Sequence, residues 1–90
     1  MEFDWDTGNT GKNLKHGVSD EEAEQIFLDP TSITFFDKGH SRHEQRFFVV
    51  GVTQANRKLY VAFTVRESKI RVISARDLNK KEFPLYEKAS

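Results

Sequence analysis

Apolar positions follow a helical rhythm up to about residue 29 and a strand rhythm after it. Ala23, Ile26 and Phe27 recur at the spacing that puts them on one face of a helix over 19–28. Ser19-Asp20-Glu21-Glu22 opens that helix as a capping box, in which the Ser19 hydroxyl accepts from Glu22 N–H while the Glu22 side chain reaches back. The acids of its first turn suit the positive end of the helix dipole, and Pro30 stops the helix after Leu28-Asp29. Upstream, Phe3-Asp4-Trp5 reads as a short edge strand and Asp6-Thr7-Gly8 as a turn. Asn9 to His16 reads as a short helix ended by Gly17, the residue best suited to a left-handed cap.

From Thr31 onward the residues are β-branched and aromatic. Ile33 to Phe36 predicts a strand, Asp37-Lys38-Gly39 a turn, Gln45 to Thr53 a long strand, and Ala55-Asn56-Arg57 another turn. Leu59 to Arg66 alternates, with Leu59, Val61, Phe63 and Val65 on one face and Tyr60, Ala62, Thr64 and Arg66 on the other. Glu67-Ser68 predicts a two-residue hairpin loop and Lys69 to Arg76 the returning strand. Asn79 to Lys88 predicts a short C-terminal helix, interrupted by Pro84. The expected fold is α+β: N-terminal helices packed on one face of a four- to five-stranded antiparallel sheet. At this length, 1–90 makes one domain.

Composition narrows the function. The chain has no Cys, which excludes a disulfide framework and thiolate chemistry and fits a reducing cytosol. No signal sequence or membrane-length apolar run is visible, so the expectation is a soluble, cytoplasmic protein without a membrane partner. The net charge is zero, but residues 1–45 hold ten acids against four bases and residues 46–90 hold ten bases against four acids. That division fits a basic working surface on one part of the fold; mutual neutralisation of the halves is the alternative.

The last hairpin is the most informative piece. A two-residue loop sets Arg66 opposite Lys69 and Thr64 opposite Arg71, and alternation gathers Tyr60, Thr64, Arg66, Lys69 and Arg71 on one face. Three crowded cations repel, so an anion such as phosphate is the expected occupant; a solvated face with incidental bases is the alternative. Simple alternation turns Arg76 to the opposite face unless a bulge re-aims it. Lys15-His16-Gly17 places an imidazole at a helix end, where it can exchange protons near neutrality or stand as an ordinary surface group. His40-Ser41-Arg42-His43-Glu44 lacks the helical HExxH arrangement, so hydrogen bonds holding a loop are expected there rather than a metal. No Gly-rich phosphate loop or paired general-acid carboxylates are evident. No metal and no cofactor is expected.

In order along the chain, Phe3-Asp4-Trp5-Asp6, Asn13, Lys15-His16-Gly17-Val18, Glu22-Ala23 and Phe27-x-Asp29-Pro30 resemble the N-terminal half of the BrnT toxins. Asp37-x-x-His40-Ser41-x-x-Glu44-x-Arg46, Gly51, Thr64-x-Arg66 and Ile70-Arg71-x-Ile73-Ser74-Ala75-Arg76 resemble the sheet half, and Glu82 and Tyr86 the tail. This resemblance implies a RelE-like ribonuclease toxin of a type II toxin–antitoxin pair that cleaves RNA without a metal and inhibits translation and growth. It implies neutralisation by a BrnA-type antitoxin in a hetero-oligomer, 2:2 if the antitoxin dimerises, with DNA contacted only through the antitoxin. By position, it implies Lys15, His16, Arg66, Arg71 and Arg76 as catalytic residues, with Lys12 an accessory contact to phosphate. On the hairpin face itself Lys69 is a further candidate RNA contact, and Tyr60 is either a platform for a stacked base or, as the favoured reading, ordinary sheet packing. His16 or Lys15 would manage the proton, and Arg66 and Arg71 would hold the phosphate. A non-catalytic RNA- or protein-binding module on the same scaffold is the competing expectation. Helix 19–28, with Asp20, Glu21 and Glu24 outward, is an expected contributor to antitoxin binding.

Overall fold

A computed structural model describes residues 1–87. Helix α1 (Asp20–Leu28) begins as the sequence requires: Glu22 N–H donates to Ser19 Oγ at 3.1 Å and Ser19 N–H to Glu22 Oε1 at 3.0 Å. Its inner face buries Ala23 and Ile26 completely and packs Phe27 beside them. Beneath it lie strands β1 (Ile33–Phe36), β2 (Arg46–Val52), β3 (Lys58–Arg66) and β4 (Lys69–Asp77), an antiparallel meander in sequence order. Val49, Leu59, Val61, Phe63, Val72 and Ala75 meet α1 and Val18 in the core. Gly51 permits the close approach of helix and sheet, because a Cβ there would stand 2.9 Å from Asp29 Oδ2 and 3.1 Å from Ile26 Cγ2. Truncating Ile26 to Ala would cost about 2–5 kcal/mol.

The chain before α1 runs along the exposed edge of β4 and pairs four of its outward backbone groups, which an open edge would otherwise present to other chains. Ile70 N–H donates to Glu2 O at 2.9 Å and Asp4 N–H to Ile70 O at 2.8 Å, so the expected N-terminal strand is a single parallel bridge at Phe3. Asn9 Nδ2 donates to Val72 O at 3.1 Å, and Asn13 Oδ1 accepts Ala75 N–H at 2.9 Å. These side chains tie the segment to the strand, and Gly11 stands in the left-handed region at φ 70°. The expected helix from Asn9 therefore shrinks to one 3₁₀ turn over Lys12–His16. Gly17, also at φ 70°, caps it as expected.

The β3–β4 hairpin has the two-residue loop anticipated from sequence, with Glu67 at φ 50° and Ser68 at φ 66°, the positive pair that matches strand twist. Arg66 faces Lys69 and Thr64 faces Arg71. The register then slips: Phe63 pairs Val72 but Ala62 pairs Ser74, leaving Ile73 as a bulge. Beyond the bulge Arg76 lies opposite Tyr60. Uniform alternation is thus corrected, and Arg76 shares the face of Tyr60, Arg66 and Arg71.

Helix α2 (Phe83–Glu87) is shorter than the expected Asn79–Lys88, whose last residue lies outside the described residues. Asn79 and Glu82 instead form a reciprocal turn, each backbone N–H donating to the other's side chain at 3.0 Å. Pro84 stands in the first turn of α2, where no N–H is needed. The helix packs against β2 on the face away from α1, with Lys58 Nζ 4.7 Å from the centre of the Phe83 ring, on the side of the buried Val50. The expectation of helices on one face alone is corrected. Val50 points away from α1, and α2 packs on that side. Among the described residues no helix is long and apolar enough to cross a membrane.

Candidate functional site

The sheet face opposite α1 is covered by α2 only at one end. The remainder carries Phe35, Arg46, Phe48, Tyr60, Ala62, Thr64, Arg66, Lys69, Arg71 and Arg76 by register. Planar groups stack across all four strands: Phe35 on Phe48 at 4.9 Å, Phe48 on Tyr60 at 4.8 Å, and the Arg76 guanidinium carbon 4.1 Å from the Tyr60 centroid. Tyr60 is therefore sandwiched and offers an incoming base its edge rather than a ring face. Burial, with the charge of Asp37, raises the pKa of its hydroxyl, which stays a donor.

Three of the four arginines of this face, Arg66, Arg71 and Arg76, already hold a carboxylate in a two-pronged grip. Arg66 binds Glu44 with both bonds at 3.0 Å. Arg71 binds Asp6 with both at 3.0 Å and comes within 3.5 Å of Asp4. Arg76 binds Glu82 at 2.8 and 2.9 Å. In the structure the acidic first half and the 79–82 turn supply counter-charges to these three guanidinium groups. The Arg71 hydrogen bond lowers the pKa of Asp6, Arg66 does so for Glu44, and Arg76 for Glu82. The Arg66 pair is open to water, and Asp6 is exposed beside a mostly covered Arg71, so the carboxylates add little to stability and an anion can compete with them for the guanidinium groups.

Lys12, Glu44, Arg46, Arg66 and Arg71 line one hollow of about 190 Å³, with Gly8 at its rim and buried Thr64 on its floor. Thr64 Oγ1 donates to Gln45 O at 2.7 Å, which fixes the loop that delivers Glu44. Arg46 also lines two adjoining hollows, one of about 450 Å³ with His40, Arg42, His43, Glu44 and Arg66, and one of about 150 Å³ with Asp37, His40, Tyr60 and Ser74. Among the described residues Arg46 has no carboxylate within ion-pair distance. Sequence reasoning gave Arg46 no role in the site. Its signal was a lone cation opening an otherwise apolar strand, on the alternation face of Phe48.

Lys69 is exposed at the hairpin tip beside Arg66. Lys15 and His16 are exposed as well, but they line none of the hollows that contain Arg66 and Arg71. The His16 carbonyl accepts from Arg57 Nη2 at 3.5 Å and that of Gly17 from Nη1 at 2.7 Å, while Arg57 grips Asp77 at 2.7 and 3.0 Å. Asp77 is six residues along β4 from Arg71, roughly 20 Å at about 3.3 Å per residue. The 3₁₀ turn thus brings Lys12 to the arginines and sets Lys15 and His16 near the far end of the strand.

Ser41 Oγ donates to Asp37 O at 2.6 Å and accepts Arg46 N–H at 3.0 Å, and His40 Nδ1 donates to Asp37 Oδ2 at 2.9 Å. The His40–Glu44 segment is held by the hydrogen bonds expected of it. On α1, Asp20 accepts Gly11 N–H and Glu24 accepts Trp5 Nε1–H at 2.6 Å. Those two acids serve the fold, and Glu21 is left outward.

A family model described as "Ribonuclease toxin, BrnT, of type II toxin-antitoxin system" matches residues 5–82. The chain belongs to the BrnT family. The matched span carries every cation of the open face, from Lys12 through Arg76, and ends at Glu82. As a BrnT protein the chain is a ribonuclease toxin by family, with RNA as the family's substrate and an antitoxin as its partner. No curated protein matches it.

Proposed function

We propose that this BrnT protein cleaves RNA in the cytoplasm without a metal, at the open face of its sheet, and so inhibits translation and growth until a BrnA-type antitoxin neutralises it. The observation that carries this reading is the convergence of Lys12, Arg46, Arg66 and Arg71, from three separate stretches of chain, on one hollow. Cleavage of a phosphodiester needs donors for the charge that develops on phosphorus, and a single positioned donor is worth about 3 kcal/mol in the barrier. Arg46 is the group with no carboxylate to displace; Arg66 and Arg71 exchange theirs for phosphate oxygens. On this reading the sheet and its cationic face are RelE-like, Arg76 braces Tyr60 rather than touching RNA, and Lys69 guides the strand at the rim.

The test is incubation of purified protein with single-stranded RNA in excess chelator, followed by addition of the antitoxin encoded beside it. Cleavage that the antitoxin abolishes is the expected result. Intact RNA under all metal conditions would overturn the enzymatic reading. A second reading, a non-catalytic RNA- or protein-binding module, draws on the internal neutralisation of Arg66, Arg71 and Arg76. It predicts retention of RNA without cleavage.

A further inference from the structure

We propose that His40, oriented by Asp37 beside Arg46, is the proton-transfer group of this site; the inference rests on the ribonuclease reading above. The Nδ1–H of His40 donates to Asp37 Oδ2 at 2.9 Å. A carboxylate on Nδ1 fixes the tautomer and leaves the Nε2 lone pair turned outward, the arrangement by which a histidine is made a base. The imidazole is open to solvent, its side chain 69% exposed, and it lines the two hollows in which Arg46 also takes part.

The frame around it is closed. Asp37 N–H donates to Arg46 O at 2.8 Å, and Ser41 Oγ links Asp37 O to Arg46 N–H. Asp37, His40 and Arg46 are therefore held by one hydrogen-bonded loop, so a phosphate on Arg46 brings its sugar within the hollow that His40 lines. The charged and titratable groups facing the imidazole are Asp37, Arg42, His43, Glu44, Arg46, Arg66 and, across the smaller hollow, Tyr60. His43 lines the larger hollow, but among the described residues no carboxylate orients it. His16 lies toward the Arg57 end of β4.

In the reaction, His40 Nε2 accepts the 2′-hydroxyl proton as the 2′-oxygen bonds to phosphorus. The P–O5′ bond breaks, and its electron pair goes to the 5′-oxygen. That oxygen takes a proton from water, and the imidazolium returns its own proton to the hydroxide so formed. The products are a 2′,3′-cyclic phosphate and a 5′-hydroxyl, with no oxidant, reductant or co-reactant consumed.

The experiment is single-turnover cleavage of single-stranded RNA in chelator, from pH 5 to 9, by wild type, His40→Gly, Asp37→Asn and His16→Gln, with RNA binding and thermal unfolding measured alongside. His40→Gly is expected to lose about 100-fold or more in rate, to bind RNA within a few-fold of wild type, and to regain activity with added imidazole. Asp37→Asn should lose less and shift the acidic limb of the rate profile, and His16→Gln should cleave as wild type does. Wild-type cleavage by a folded His40→Gly protein, or a loss that imidazole does not restore, would overturn the assignment and leave the ribonuclease reading standing. Failure of the wild-type protein itself to cleave would overturn both.

Discussion

The side-chain oxygen of Asn13 accepts the backbone N–H of Ala75 at 2.9 Å, joining residues 62 positions apart, and both are buried. Asn9 does the complementary task at Val72 O. Two asparagines thus stand in for the neighbouring strand that β4 lacks, and they place the 3₁₀ turn so that Lys12 reaches the cationic hollow. Asn13→Ala leaves a buried N–H without an acceptor, a loss of about 1–3 kcal/mol. For a chain of this size that is a fall in thermal midpoint of roughly 5–20 °C. An unchanged midpoint would show that water replaces the side chain.

The four arginines of the open face differ in what they hold: Arg46 no carboxylate among the described residues, Arg66 Glu44, Arg71 Asp6 and Arg76 Glu82. Arg46→Ala and Arg66→Ala are each expected to lower cleavage by roughly 100-fold or more while the fold survives, because each removes a donor from the phosphate site. Arg76→Ala should do the reverse, lowering the unfolding midpoint through loss of Glu82 and of the Tyr60 stack while sparing the rate per folded molecule. Full activity in a folded Arg66→Ala protein would remove Arg66 from the site.

Glu44 occupies the fork of Arg66 that phosphate would use. Glu44→Gln removes that competitor and should tighten binding of single-stranded RNA, with a steeper salt dependence as one more phosphate is neutralised. Filter binding across salt concentrations reads both. Equal affinity and slope would mean that Arg66 does not meet RNA.

Acid should weaken the fold through the same pairs. Hydrogen bonds from Arg71, Arg66, Arg57 and Arg76 hold Asp6, Glu44, Asp77 and Glu82 below the ordinary carboxylate range. A carboxyl whose folded value is depressed contributes stability that is complete above its unfolded value, about 4, and is lost as pH falls through the folded one. The thermal midpoint should therefore be level from pH 7 to about 5 and decline below about 4. Arg57→Met should start lower and decline less, since Asp77 and Glu22 then lose their shared partner. A level midpoint down to pH 3 would exclude these pairs as contributors.

Local signals in the chain determined the capped helix, the order and polarity of the strands, and the two-residue hairpin that sets Thr64 against Arg71, because each depends on neighbours within a few residues. The face on which Arg76 emerges was decided by a bulge at Ile73, which no alternation pattern reveals. The partners of the arginines were likewise decided in three dimensions. Asp6 meets Arg71 across 65 residues and Glu44 meets Arg66 across 22, so charges that look unopposed along the chain are opposed in space. The same distance effect separated His16 from the hairpin, whereas His40 stands beside Arg46 through the local hydrogen bonds of the 37–46 loop. Periodicity fixes which way a side chain points within its own element; only the packing of distant segments fixes what stands opposite it.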